Sequence, residues 1–131
     1  MKRTAIFLIL ALLLVGCGQK QPAFPPADGC YTVDVTLTGG TGRSTIQSPA
    51  KLEVEGGVAY LTVVWSSPFY DYMLVDGQRY DFLNNDNGSV FRFPIQSAEV
   101  AVVADTVAMS MPHEISYTIT LDTASIQKEN P

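Results

Sequence analysis

The chain has 131 residues, and its 13 acidic residues outnumber the eight basic ones, which gives a formal net charge of −5. This length predicts a single domain. A surface that binds nucleic acid needs clustered lysine and arginine, and the few basic residues here are scattered along the chain. The composition therefore excludes nucleic acid as a partner.

A secretory signal is predicted at the N-terminus. Lys2 and Arg3 precede an apolar run, 6–15, that is too short to span a bilayer as a mature helix. A small residue and Cys17 follow, and this order resembles a bacterial lipoprotein signal peptide, whose cysteine is lipidated and becomes the mature N-terminus. We therefore predict a signal peptide at 1–16, lipidation of Cys17, and an extracytoplasmic chain held on the cell membrane by its acyl groups. The alternative is an ordinary signal peptide that ends near a cysteine.

The second cysteine, Cys30, has no partner for an intramolecular disulfide if Cys17 is lipidated. The domain must then be stabilised by its hydrophobic core. We expect the thiol of Cys30 to be buried and inert rather than reactive.

A tether is predicted between the lipid and the domain. Residues 17–28 are rich in proline and show little periodicity, which is typical of an extended linker. Asp28 and Gly29 form a turn signal. The folded domain is therefore expected at 29–123, followed by a C-terminal tail at 124–131.

Strands are predicted where apolar and polar residues alternate. The run 31–38 alternates throughout, and 52–55 is a shorter strand of the same kind. In 58–66 apolar residues occupy both sets of alternating positions, which predicts a central strand covered on both faces. The glycine-rich segment 39–44 is expected to be a loop.

Two turn signals divide the middle of the chain. Asp76 and Gly77 separate two short runs, 69–75 and 78–83, and predict a hairpin with a two-residue turn. The segment 84–88 ends in Asn-Gly and predicts a second hairpin turn. Its oxygen-bearing side chains lack the ligand spacing of a calcium loop.

The remaining strands are predicted at 98–104 and from His113 to Asp122. Beyond the signal peptide, no window has apolar residues at the spacing of a helix face. Seven to eight short strands separated by turns predict an all-β fold, namely an immunoglobulin-like antiparallel β-sandwich.

The last predicted strand carries two residues that can bind a ligand. Side chains alternate across a strand, so His113, Tyr117 and Ile119 are expected on one face, with Glu114 and Ser116 on the other. The apolar face therefore presents His113 and Tyr117 at its N-terminal end.

Catalytic sites of the common kinds are not predicted. His113 is the only histidine, and the sequence has no Gly-x-Ser-x-Gly turn that would expose a serine beside it. Zinc sites usually need several His or Cys ligands, which this chain lacks. The chain is therefore not expected to be an enzyme.

Side chains that can ligate haem iron are concentrated near two strand ends. Haem iron accepts His, Met or Tyr, and the porphyrin fits a flat apolar slot with aromatic walls. About 13 Å of strand separates His113 from Tyr117, so only one of them is expected to bond to the iron. The same residue types also fill cores and edges of β-sandwiches, and that interpretation stays open. The candidate ligand-binding residues are Tyr70, Tyr72, Met73, Met109, Met111, His113 and Tyr117, with His113 as the candidate iron ligand.

Several motifs, taken in order, resemble the near-iron-transporter (NEAT) haem-binding domain of bacterial surface proteins. The likeness runs from Asp28 to Asp122. In that family the last strand carries Tyr-x-x-x-Tyr, where this chain has His113-x-x-x-Tyr117. The family's first loop holds a short helix over the haem, and the segment 39–48 is shorter than that loop. The motifs are Asp28-Gly29-x-Tyr31-x-Val33-x-Val35-x-Leu37, Ser48-Pro49-Ala50-Lys51-Leu52-x-Val54, Gly57-x-x-Tyr60-Leu61-Thr62 and Val75-Asp76-Gly77.

The resemblance implies an immunoglobulin-like sandwich that takes haem in a groove and passes it to an iron-uptake ABC transporter. It also implies that His113 stands at the position of the iron-binding tyrosine and Tyr117 at that of the supporting tyrosine. With the lipid anchor, this describes an extracytoplasmic haem-binding protein. The alternative is a cell-envelope module for protein interaction or structure that presents the aromatic residues between Phe69 and Tyr72 to a partner.

Overall fold

The fold comes from a computed structural model that describes residues 23–41, 43–108 and 113–129. The predicted signal peptide and Cys17 lie outside these ranges. In the described ranges the regular structure is entirely β-strand, and they contain no helix that is long and apolar enough to cross a membrane. The strands are β1 (Gly29–Gly39), β2 (Ala50–Glu55), β3 (Val58–Val64), β4 (Tyr70–Val75), β5 (Gln78–Asp81), β6 (Val90–Ile95), β7 (Glu99–Thr106) and β8 (His113–Lys128).

The strands form one hydrogen-bonded series that folds over into two layers. Their order is β5-β4-β7-β8-β1-β2-β3-β6, and every neighbouring pair is antiparallel. Although β5 and β6 are at opposite ends of this series, Tyr80 of β5 and Phe93 of β6 have ring centroids 5.8 Å apart. The predicted all-β immunoglobulin-like sandwich is confirmed.

The core is built from the inward-facing residues of the strands. In β8, Tyr117, Ile119 and Leu121 are buried while Ser116 and Thr120 are exposed, as the alternation of the sequence predicts. Burying a large apolar side chain stabilises a fold by about 1.5–3 kcal/mol. The largest fully buried side chains are Trp65, Phe91, Phe93, Leu52, Leu61, Met73 and Ile119.

The predicted hairpin at Asp76 and Gly77 is confirmed. Val75 of β4 faces Gln78 of β5 across the turn. Asp76 has φ 53° and Gly77 has φ 75°, and positive φ at both central residues is the geometry of the two-residue turn that suits the strand twist.

Two predictions about the middle strands are wrong. The segment 84–88 does not close a hairpin of neighbouring strands, because β6 pairs with β3. The backbone pairing on its β5 side is limited to an isolated bridge between Asn84 and Val90. Strand β3 is buried on one face only, since Val58 is exposed and Tyr60 is covered only in part. Its outer face is covered by neighbouring side chains such as Arg92, which lies 4.3 Å from the Tyr60 ring centroid.

The chain ends also differ from the expected boundaries. Strand β8 continues to Lys128, which faces Tyr31 of β1, so residues 124–128 belong to the sheet and not to a tail. At the other end, the predicted tether packs in part on the domain, since Asp28 accepts the backbone N–H of Gly57 at 3.1 Å and Phe24 packs against the core. The thiol of Cys30 was expected to be buried and is exposed.

Candidate functional site

A groove of 430 Å³ opens at the end of the sandwich where β1 and β7 end and β8 begins. Its walls come from the loop after β1, the start of β4, the end of β7 and the first residues of β8. We call this cavity the groove. It is lined by Gly40, Thr41, Arg43, Ser44, Ser67, Tyr70, Thr106, Ala108, His113, Ile115 and Tyr117.

A larger cavity of 660 Å³ lies at the other end of the sandwich, between the β2–β3 turn, the β4–β5 turn and the end of β6. Pro25, Val58, Tyr80 and Pro94 contribute to its walls. It contains none of the residues predicted to bind a ligand. The smaller groove is therefore the candidate site.

Two tyrosines and a serine form a hydrogen-bonded chain in the wall of the groove. The hydroxyl oxygens of Tyr70 and Tyr117 lie 2.9 Å apart, and the Tyr70 hydroxyl donates to Ser44 Oγ at 2.7 Å. Burial raises the pKa of Tyr117, and its hydrogen bond with Tyr70 acts in the same direction. The Tyr117 phenol is therefore held in its neutral form.

Trp65 supports this pair from beneath. Its ring centroid lies 4.2 Å from that of Tyr70 and 5.1 Å from that of Tyr117, distances at which aromatic rings attract one another. The Trp65 side chain is 1% exposed. The backbone of Tyr70 is fixed as well, because its N–H donates to the buried Ser89 Oγ at 3.0 Å. Both groove tyrosines are thus held rigidly before any ligand arrives.

The loop after β1 approaches Tyr117 closely because it contains glycine. Gly40 has φ 64°, and a Cβ atom there would lie 2.8 Å from Cε1 of Tyr117. Such a contact requires a residue without a side chain. The sequence predicts this loop but not its role as a groove wall, since nothing local in a glycine-rich segment indicates which side chain it will cover.

His113 is exposed and lies at the mouth of the groove as the first residue of β8. It pairs with Thr106 of β7, which also lines the groove. Tyr117 and the partly buried Ile115 follow it along the inner face of the strand. The structure therefore brings His113, Tyr117 and Tyr70 into one site, as the sequence suggests.

Tyr72 and Met73 do not reach the groove. The β4–β7 register shifts between Tyr70 and Tyr72, and this bulge turns Tyr72 to the outer face, where it donates a hydrogen bond to Glu114. The side chain of Met73 is 0% exposed in the core. Met109 and Met111 lie outside the described residues. Ser44, Arg43 and Thr106 line the groove and were not identified from the sequence, because isolated polar residues in loops and strand ends carry no distinctive spacing.

In the described part of the chain, no three or more His, Cys, Asp and Glu side chains lie together as a group that could hold a metal ion. A site with one protein ligand to a metal already held in a macrocycle is compatible with this arrangement, because His113 alone could supply that ligand. The walls match such a planar ligand in character. The lining is apolar at Ile115 and at the small exposed parts of Tyr70 and Tyr117, and Arg43 is its basic residue.

The fold and the groove together define an immunoglobulin-like sandwich with a ligand-sized cavity at one end. No protein-family model and no curated protein matches the sequence. The structure is similar to that of the NEAT5 domain of IsdX2, a B. anthracis hemophore in complex with heme, with 18% sequence identity, a TM-score of 0.59, and coverage of 73% of this chain and 97% of that one. A mutant of the same domain, also in complex with heme, matches with 18% identity and a TM-score of 0.59 over 73% of this chain and 96% of that one. The chain therefore has the fold of a NEAT domain, as the motifs predicted.

Proposed function

We propose that the chain is a non-enzymatic binding protein that holds haem in the groove. The observation that carries this proposal is the groove itself: a histidine stands at its mouth over a rigid tyrosine pair, in a fold shared with a domain solved in complex with heme. When bound, haem would supply the iron that needs an axial ligand. The protein supplies a preorganised slot and the groups that orient the ring.

In this proposal the imidazole of His113 would bond to the iron, and Tyr117 would be the supporting residue. A tyrosine binds ferric iron best as phenolate, and burial together with the Tyr70 hydrogen bond raises the pKa of Tyr117, which disfavours that form. The imidazole of His113 is exposed at the groove mouth. Arg43, which lines the groove, would pair with the carboxylate groups of haem.

The proposal is tested by adding haemin to the purified chain from residue 18 onward. We expect a saturable shift of the Soret band near one equivalent. His113→Ala should weaken binding and change the Soret position, since the axial ligand is lost. Gln78→Ala is the matched control, because Gln78 is exposed at the other end of the sandwich, and it should bind as the wild type does.

We also propose that Cys17 is lipidated, that the domain is held outside the cytoplasm on the cell membrane, and that it passes haem to an iron-uptake ABC transporter. The N-terminal sequence pattern supports the anchor. Metabolic labelling with a fatty acid tests it: the native chain should incorporate label and Cys17→Ser should not. Equal labelling of both would contradict the anchor.

A protein-interaction role is the second candidate, and one observation favours it. Phe69 is 51% exposed beside the groove, and the exposed Val107 lies next to it, with its N–H bonded to the Phe69 carbonyl oxygen at 2.8 Å. Tyr70 is only 3% exposed, so it cannot form the contact surface that the sequence suggested. A photo-crosslinking residue in place of Phe69 should capture a specific partner on cells, and one in place of the exposed Val58 at the far end should not. Equal capture at both positions would argue against this role.

A further inference from the structure

Three acidic residues lie directly behind the groove, on the outer face of the strands that line it. Each is adjacent in sequence to a residue of the groove wall. In β7 and β8, alternation turns one member of each pair inward and the other outward. In β4, the bulge turns the chain after Tyr70 to the outer face. A change in charge among the acidic residues therefore acts on strands that shape the groove. The pairs are Tyr70 with Asp71, Thr106 with Asp105, and His113 with Glu114.

Asp105 is the buried member of this acidic group. It is 4% exposed and lies in β7 between Tyr72 of β4 and Glu114 of β8. Glu114 is occupied, because it accepts the hydroxyl of Tyr72. Neither neighbouring side chain therefore offers Asp105 a positive charge.

Asp71 lies in the bulge of β4, immediately after Tyr70. The Oδ1 atom of Asp71 is buried, and no N–H or hydroxyl group of the described residues donates a hydrogen bond to it. Asp105 lies opposite this bulge, because it pairs with Tyr72 while the next residue, Thr106, pairs with Tyr70. A hydrogen bond between two carboxyl groups requires a proton on one of them, and that proton is the donor which Asp71 otherwise lacks.

The surroundings favour retention of this proton. Burial and the hydrogen bond with Asp71 raise the pKa of Asp105 to about 6, and the negative charge of Glu114 acts in the same direction. The guanidinium of Arg79 acts in the opposite direction. It is already engaged, since its Nε donates to Asp81 at 2.9 Å and its Cζ lies 4.1 Å from the Tyr72 ring centroid.

We propose that Asp71 and Asp105 share one proton, and that this proton closes the β4–β7 bulge and so positions Tyr70 in the groove. Loss of the proton places two negative charges side by side, with Glu114 as a third, at the strand position next to Tyr70. The repulsion loosens the bulge and the contacts that Tyr70 makes with Tyr117 and Ser44. Ligand is therefore held more tightly in weakly acidic than in neutral solution; this last step rests on the proposed function.

The proton itself is testable without ligand. An aspartate in the unfolded chain titrates near pH 4, so between about pH 4 and about pH 6 the folded protein holds a proton that the unfolded chain has lost. The free energy of unfolding from this pair falls as the pH rises through that interval. Denaturant unfolding should show this fall in the wild type, and Asp105→Asn should remove it.

The fluorescence of Trp65 provides a second test in the ligand-free protein. This residue is the single tryptophan of the chain and its ring lies 4.2 Å from that of Tyr70, so its fluorescence reports the position of Tyr70. We expect a fluorescence transition with a midpoint near pH 6 in the wild type. Asp105→Asn and Asp71→Asn should abolish it. The exposed Asp86 supplies the matched control, and Asp86→Asn should keep the transition.

The effect on the ligand is tested by comparing the haemin affinity of Asp105→Asn with that of Asp86→Asn. Any pH effect that arises elsewhere in the site or in haemin itself is common to both variants. From about pH 5 to about pH 7.5 the control should lose about tenfold more affinity than Asp105→Asn, which corresponds to one unit of pKa difference between the bound and the free protein. Identical pH profiles of fluorescence in the two variants would overturn the shared proton. Identical affinity profiles despite different fluorescence would overturn its effect on the ligand. No Soret shift at any pH would refute the proposed function and leave the fluorescence test of the proton intact.

Discussion

The groove depends on a few side chains whose roles differ although their types are similar. Tyr70 and Tyr117 share a hydrogen bond of 2.9 Å in the wall, whereas Tyr72, two positions from Tyr70, lies on the opposite face. Alternation alone would place Tyr70 and Tyr72 on the same side. The bulge between them separates them, and nothing in the residues from Phe69 to Tyr72 marks its position in the sequence.

Tyr70→Phe tests the tyrosine pair. The substitution keeps the ring that stacks on Trp65 and removes the hydroxyl that bonds Ser44 and Tyr117. A buried polar group left without its partner costs about 1–3 kcal/mol, so we expect a loss of about that size in denaturant unfolding. Ser44→Ala should cost less, because Tyr70 and Tyr117 still bond each other. A larger loss for Ser44→Ala would contradict this order.

The positions of the strands were easier to predict from the sequence than the pairing between strands. The final strand was identified because its apolar and polar residues alternate, and the turn at Asp76 and Gly77 because positive φ favours those residue types. The partner of β6 could not be read in this way, since pairing between β3 and β6 joins segments distant in sequence. The continuation of β8 to Lys128 was missed for a similar reason: its last residues are held by β1 and not by their own pattern.

The loop after β1 gives a prediction with a close control. Gly40 and Gly56 have nearly equal φ, 64° and 60°, but a Cβ at Gly40 would meet Tyr117 whereas one at Gly56 meets nothing within 4 Å. Alanine at either position should cost about 1 kcal/mol for its backbone conformation. Gly40→Ala should cost about 1–3 kcal/mol more because it overpacks the groove wall. Equal thermal stability of the two variants would refute the close approach.

The end of β8 gives a second prediction for an element. Residues 124–128 pair with the start of β1 through Lys128 with Tyr31 and Gln127 with Thr32. A chain ending at residue 123 should therefore unfold at a lower temperature than the full chain, while one ending at residue 129 should match it. Equal unfolding temperatures for all three chains would show that residues 124–128 do not stabilise the fold, as expected of the tail that the sequence predicts.

At the scale of the whole molecule, the groove and the paired residues at the start of β1 and the end of β8 lie at opposite ends of the sandwich. Gly29 and Lys128 are at one end of the paired strands β1 and β8, and Gly39 faces Tyr117 beside the groove at the other. The all-β architecture was predictable from the number of short strands and the turns between them. The groove was not, because its wall is assembled from β1, β4, β7 and β8 only after the sheet has folded over.

Haem binding through His113 is the central claim, and a haemin titration tests it most directly. The wild-type chain and Gln78→Ala should give the same saturable Soret shift near one equivalent. His113→Ala should bind at least about tenfold more weakly, the loss expected when roughly 1.4 kcal/mol of ligand bonding is removed, and its Soret band should lie elsewhere. A wild-type titration without a shift, or a His113→Ala titration that matches the wild type in both affinity and band position, would contradict the account.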